Sequence, residues 1–297
     1  MITFHRFIFS TCLMLFLVTP LTGKPPKTEI AMGFNPAENA EAVETNGKVF
    51  SDYYQSKIGI KVKTFIATDY TALIEALRSG RVDFAFLPPF SFVKAEEIAG
   101  AKVLLKCVRK GKAVLYSAII TRRDKNYLKL EDLKGKNIAW VDPSSTSGHI
   151  FAKASLKQKK GIDADKFFGK QIFAGAHDAL VLAVLNGTVD AGATFSNDAE
   201  GIDGSWTQFL KGDDVKKIRV IYVSEPFTGD TMATSKKFAA EYPEIVDKTV
   251  KLMLEMGKDP KGKQILKDLY HVDSLIPAKS EEFNSVRDAA KFLNLGS

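Results

Sequence analysis

Two segments of this 297-residue chain follow one pattern. The first is Thr68-Asp69-Tyr70-Thr71-Ala72-Leu73-Ile74-Glu75-Ala76-Leu77-Arg78-Ser79-Gly80-Arg81-Val82-Asp83-Phe84-Ala85-Phe86. The second is Ala176-His177-Asp178-Ala179-Leu180-Val181-Leu182-Ala183-Val184-Leu185-Asn186-Gly187-Thr188-Val189-Asp190-Ala191-Gly192-Ala193. Each reads as a helix, then Gly-x-Val-Asp, then a small apolar strand, with the glycine where a helix ends on a left-handed residue. One such unit is common in α/β proteins. Two of them, about a hundred residues apart, predict two similarly wound lobes. Each unit also places a residue able to donate a hydrogen bond, Tyr70 or His177, near its helix start.

The rest of the chain extends that reading. Ile30 to Phe34 reads as a short strand, and Asn35-Pro36 turns it into a polar helix from about Glu38 to Gln55. Ile58 to Phe65 alternates as a strand. Strand-like stretches at Ala113 to Thr121 and Val220 to Val223 flank the second lobe and suit a double crossover. After Pro226 the pattern is helical, at Ser235 to Ala240, Pro243 to Gly257, Pro260 to Tyr270 and Lys279 to Leu293. These late helices are expected to pack back on the first lobe. The divisions expected are a first part of lobe 1 over 27–115, lobe 2 over 116–222, and a return to lobe 1 over 223–297.

A third segment carries the chemistry. Asn137-Ile138-Ala139-Trp140-Val141 reads as a buried strand that breaks at Asp142-Pro143. It passes through Ser144-Ser145-Thr146-Ser147-Gly148-His149 into a helix-like run from Ile150 to Leu156. Such a junction gathers free backbone N–H groups, hydroxyls and the positive end of a helix dipole at one point, where a small tetrahedral oxyanion can sit. An ordinary helix cap is the competing reading, since Ser and Thr are favoured there in any case.

Composition narrows the rest. His5 and Arg6 precede an apolar run from Phe7 to Val18, followed by a break and small residues at Thr19 to Gly23. That is the layout of a secretory signal peptide cleaved near Gly23, so the mature chain is expected to be exported. About 270 residues then remain, enough for two lobes. Cys107 is the one cysteine left after Cys12, so no intrachain disulfide can form. The leader takes away one arginine and no acid, so a formal charge of +7 becomes +6, a modest bias toward anions. No interleaved basic and aromatic stripe points to nucleic acid. His149, His177 and His271 are not spaced as metal ligands, and no Gly-x-Ser-x-Gly elbow, phosphate loop or dinucleotide fingerprint is present. An exported hydrolase of phosphorus esters would need a metal or nucleophile set that no spacing marks. The donors suit holding an anion, without a cofactor and without catalysis. Tyr116 is a further possible donor or aromatic wall, and Asp198, Glu200 and Asp230 are acids following strands, where a cleft could lie.

Taken in order, Thr68-Asp69-Tyr70, Gly80 to Leu87 leading into Pro89-Phe90-Ser91-Phe92, Asp142 to Gly148, and Gly187-Thr188-Val189-Asp190 after His177 form a specific set. The chain resembles, from about Ile30 to Leu293, the phosphate/phosphite/phosphonate substrate-binding proteins of ABC importers, the PhnD-like group of periplasmic binding proteins. The resemblance implies a two-lobed α/β fold of type II with its ligand in the inter-lobe cleft. It implies a periplasmic, monomeric solute receptor for a small phosphorus oxyanion, delivering it to an ABC permease in the membrane. A periplasmic sensor of the same fold, signalling to a membrane receptor or kinase, is the alternative. By the same resemblance, Ser145, Thr146 and Ser147 hold the oxyanion and Tyr70, Tyr116 and His177 hydrogen-bond it. Asp198 and Asp230 are the acids nearest to where relatives taking aminoalkyl phosphonates bind the ammonium. Pro88 stands where the family usually has Gly, and the segments 194–198 and 225–230 match loosely, which leaves the organic half of the ligand open.

Overall fold

The computed structural model describes residues 27–37 and 40–295; the leader reading falls outside them. Among the described residues, twelve strands form two six-stranded sheets. The first sheet holds β1 (Glu29–Phe34), β2 (Lys61–Ile66), β3 (Phe84–Leu87), β4 (Ala101–Val108), β11 (Thr231–Ser235) and β12 (Ser274–Pro277). Their spatial order is β12-β4-β11-β3-β1-β2, with β1 parallel to β2 and β3, and β11 antiparallel between β3 and β4. The second sheet holds β5 (Val114–Arg122), β6 (Ile138–Trp140), β7 (Gln171–Phe173), β8 (Ala191–Ser196), β9 (Ile218–Val223) and β10 (Phe227–Thr228). It runs β10-β5-β8-β6-β7, and β9 also pairs with β5. The chain thus crosses between lobes twice, at 109–113 and at 229–230.

Strand periodicity sets the layers of the first lobe. Ile30, Met32 and Phe34 of β1 face Phe50 and Tyr54 of the helix Ala40–Ile58, and Ala31 between them faces the opposite helix, Tyr70–Arg78, with its Leu73 and Leu77. Phe34 stacks on Phe86 of β3 at 5.4 Å between ring centroids. The second lobe buries Trp140 of β6 against Phe168, and Leu180, Val181 and Val184 of the helix His177–Leu185 against β5 and β6.

The two Gly-x-Val-Asp units do the same job in both lobes. Gly80 and Gly187 sit at φ of 73° and 74°, a conformation that a side chain disfavours. Each aspartate then grips the start of the neighbouring parallel strand. Asp83 Oδ2 accepts from the Ala31 N–H at 2.8 Å, and Asp190 Oδ2 from the Asn137 N–H at 3.0 Å. Both aspartates return a backbone N–H to the carbonyl of that same residue. The second carboxylate oxygen is taken by Lys27 Nζ at 2.6 Å in one lobe and by Tyr127 Oη at 2.9 Å in the other. The register between helix and sheet is therefore fixed by matching latches. It is this that carries the N-termini of both helices, Tyr70 and His177, to the facing edges of the lobes.

The helices Lys236–Glu241, Pro243–Met256 and Pro260–Tyr270 bury Phe238, Met253 and Leu266 in the first lobe's core. The last helix, Asn284–Phe292, touches both lobes. Its Val286, Ala289 and Ala290 pack with Phe90 of the first lobe and with Ile150, Phe151 and Ala154 of the second, so it lies astride both.

Candidate functional site: a closed cavity between the lobes

The Asp142–His149 junction folds as a wide turn. Asp142 Oδ1 accepts from the Ser144 N–H at 2.7 Å, and the Ser145 N–H returns to the Asp142 carbonyl. A π-helical turn, Thr146–Ile150, follows and runs into the helix Phe151–Lys160. Such wide turns are rare and recur at functional sites. Ser145 Oγ caps it by accepting from Gly148 N, which leaves the leading amides of Thr146 and Ser147 without an acceptor in the turn. A Cβ on Gly148 would meet the Val141 side chain at 2.4 Å, so only glycine lets the turn lie this close to β6.

This turn forms one wall of a cavity of about 50 Å³ enclosed between the lobes. By the room that one water needs, that is space for a few water-sized groups, the scale of a small tetrahedral anion. The first lobe contributes Asn35, Tyr70, Pro88, Pro89, Arg109, Asp230 and Tyr270. The second contributes Ser145, Thr146, Ser147 and His177, with Leu115, Phe195, Gln208, Phe209 and Phe227 as further walls. The lobes are joined around it by hydrogen bonds. The Phe90 N–H donates to Thr146 Oγ1 at 2.8 Å, the His177 N–H to the Ala37 carbonyl at 2.9 Å, and Ser91 Oγ to the Ser144 carbonyl at 3.2 Å.

Six of the eight residues that the resemblance points to line this cavity: Tyr70, Ser145, Thr146, Ser147, His177 and Asp230. Two do not. Strand alternation turns Leu115 of β5 to the cavity and therefore sends its neighbour Tyr116 to the other face. Asp198 is occupied by its own loop: Oδ1 accepts from the Ile202 N–H at 2.9 Å and Oδ2 from the Asp203 N–H at 2.8 Å. Asp230 lines the cavity but is not free. It forms an ion pair of 2.8 Å with Arg109, both side chains largely shielded. These two residues sit one in each inter-lobe crossing, so the pair also ties the crossings together. Burial works against the Arg109 charge, and Asp230 more than offsets it, holding the guanidinium above its ordinary range.

Three cavity groups lacked a signal in the sequence. Asn35 is fully buried, and among the described residues neither its amide nitrogen nor its oxygen has a hydrogen-bond partner. It follows β1 in a segment whose residues read only as a turn. Arg109 stands in an unremarkable basic stretch, and Tyr270 ends a helix far along the chain. The Tyr70 hydroxyl lies beside Asn35 and Ser145 but meets neither at hydrogen-bonding geometry, and burial raises its pKa. Buried donors without protein partners are what an enclosed polar ligand would satisfy.

His177 is held neutral. Burial first, and then the nearby Arg109 charge, push its pKa down to about 3. His149, whose Nδ1 lies 2.9 Å from the Pro143 carbonyl, is likewise lowered by burial to about 4. Both fall below the ordinary 6.5, so between those limits the unfolded chain binds protons that the folded chain does not. Stability should therefore be unaffected above pH 6.5 and fall as pH drops below it, by up to about 1.4 kcal/mol per pH unit for each histidine. Urea unfolding at pH 7 and pH 5 checks this. The acid loss should shrink in His149→Gln, and equal midpoints at both pH values would contradict the burial of these rings.

The sequence profile of the family described as "ABC transporter, phosphonate, periplasmic substrate-binding protein" matches residues 32–283. The chain belongs to this family. It is 30% identical over 264 residues to the phosphate-import protein PhnD of Mycolicibacterium smegmatis, covering 82% of this chain and 79% of that one. It is 27% identical over 258 residues to the phosphonates-binding periplasmic protein of Escherichia coli, covering 85% and 73%. Among solved structures, PhnD1 from Prochlorococcus marinus in complex with methylphosphonate superposes with a TM-score of 0.78 at 18% identity, covering 91% of this chain and all of that one. The two-lobed periplasmic binding-protein fold of type II expected from the sequence is thus the fold of this member. The family is one of substrate-binding transport proteins and not a family of enzymes.

Proposed function

We propose that this protein captures a small phosphorus oxyanion (phosphite, methylphosphonate or phosphate) between its lobes in the periplasm and presents the closed form to an ABC permease. It acts as a monomer and leaves the ligand chemically unchanged. The observation that carries this reading is the convergence of the Thr146–Ile150 turn, the Tyr70 hydroxyl and the Asn35 amide on one enclosed cavity of about 50 Å³. Amides and hydroxyls at a strand–helix junction hold an oxyanion without needing a full countercharge. The names of relatives that align over most of the chain, among them a phosphate-import protein, a phosphonates-binding periplasmic protein and a probable ABC transporter phosphite-binding protein, support transport over sensing.

The partners of the acids support a ligand without an amine. Asp198 caps its loop and Asp230 is matched by Arg109, so neither is free to receive an ammonium. Calorimetry should show binding of phosphite, methylphosphonate and phosphate. 2-Aminoethylphosphonate should bind at least about tenfold more weakly, since an uncompensated ammonium in an enclosed site loses its hydration. Absence of heat with all four would overturn the proposal, and tighter binding of the amine would overturn its assignment of the acids.

A further inference from the structure

A buried chain of hydrogen bonds fixes which nitrogen of His177 carries the proton. The Thr194 hydroxyl donates to Ser205 Oγ at 2.8 Å. Having only one proton, it can do nothing but accept toward His177 Nδ1, which lies 2.8 Å from the same oxygen. Nδ1 is therefore the N–H of the ring, and in a neutral imidazole Nε2 then holds a bare lone pair. Thr194 and Ser205 are fully buried, so water does not compete for these bonds, and Phe195 packs edge-on against the imidazole at 5.0 Å. His177 lines the cavity, and its other ring nitrogen makes no hydrogen bond among the described residues. The sequence predicted a donor here. With Nδ1 as the N–H, Nε2 would act as an acceptor instead.

We infer that the cavity takes its phosphorus oxyanion in the singly protonated form, the ligand's P–OH donating to His177 Nε2; this rests on the oxyanion reading above. A fully deprotonated ligand would set oxygen lone pairs against the nitrogen lone pair, whereas one P–OH turns that contact into a hydrogen bond. The surrounding charges do not change the assignment. Across the cavity Arg109 is matched by Asp230, and beside Ser205 the carboxylate of Asp203 is matched by Lys110 at 2.5 Å. Asp178, on the histidine's own helix, accepts from the Ala179 N–H. The Tyr70 hydroxyl keeps its proton, burial raising its pKa. The low basicity of the His177 ring keeps it from taking the ligand's proton.

Calorimetry of methylphosphonate across its second ionisation, in two buffers of different ionisation enthalpy, tests this. Affinity should be flat below that pKa, weaken about tenfold per pH unit above it, and there bring uptake of about one proton per ligand bound. Sulfate, which has no proton to offer at neutral pH, should not bind. Thr194→Val removes the oxygen that receives Nδ1–H and lets the proton move to Nε2, so its pH dependence should flatten while methylphosphonate still binds. Nitrogen-15 spectra of the wild-type protein should show His177 protonated at Nδ1. Constant or rising affinity above the second ionisation, no proton uptake, sulfate binding, an unchanged pH profile in Thr194→Val, or a protonated Nε2 would each overturn the inference while leaving oxyanion capture intact. Absence of heat at every pH would overturn both.

Discussion

Arg109→Met is expected to abolish oxyanion capture and to destabilise the fold by about 3–5 kcal/mol, the usual consequence of stranding one member of a shielded ion pair. The partner left behind is Asp230, on the cavity wall. Its charge would then face the ligand with nothing to match it, so the same substitution that weakens the protein also makes the cavity repel anions. Asp230→Asn is the informative mirror. It strands a cation instead, so stability should again fall, but oxyanion binding should persist. Urea unfolding and methylphosphonate calorimetry on both variants separate the two effects. If Arg109→Met keeps wild-type affinity and unfolding midpoint, the pair is screened by solvent and has no part in the site.

The second large effect is expected from Thr146→Ala. The Thr146 oxygen accepts from the Phe90 N–H of the opposite lobe at 2.8 Å, which leaves its proton to donate into the cavity. One hydroxyl thus joins the lobes and contacts the anion at once. Its removal should cost about 1.5–3 kcal/mol of affinity, the range for hydrogen bonds to charged groups, or roughly ten- to 150-fold in Kd. Thr146→Ser restores the hydroxyl and should recover most of the loss. A change below about twofold in the alanine variant would show that the anion sits elsewhere.

What the sequence made legible was local. The Asp142–Gly148 junction and the Gly-x-Val-Asp units are short-range patterns whose physics is complete within a few residues, as a strand end, a cap and a positive φ. They predict two lobes and one wall of the cavity. The opposite wall depends on contacts between distant segments. Asn35, Arg109 and Tyr270 meet only because the first sheet brings the end of β1, the crossing after β4 and a late helix to one edge. No spacing in the chain marks that meeting. Tyr116 fails by a single step of strand alternation, which fixes the facing of a side chain as firmly as its identity does. Asp198 and Asp230 were legible as acids but not as acids already engaged, since their partners are the amides of a tight loop and an arginine over a hundred residues away. His177 has its position from its helix start, and the polarity inferred for it rests on Thr194 and Ser205 behind it, outside the reach of any local pattern.

The placement of the last helix bears on how the molecule moves. Two covalent crossings that lie side by side would behave as a ribbon, free to bend and also to twist. The helix Asn284–Phe292 adds a third attachment away from that ribbon, through Val286, Ala289 and Ala290 on both lobes. While that strap stays packed, torsion is suppressed and swinging about one axis remains. On that packing the protein is expected to work as a door and not as a universal joint, so that every shut molecule would offer the permease of the proposed function the same face.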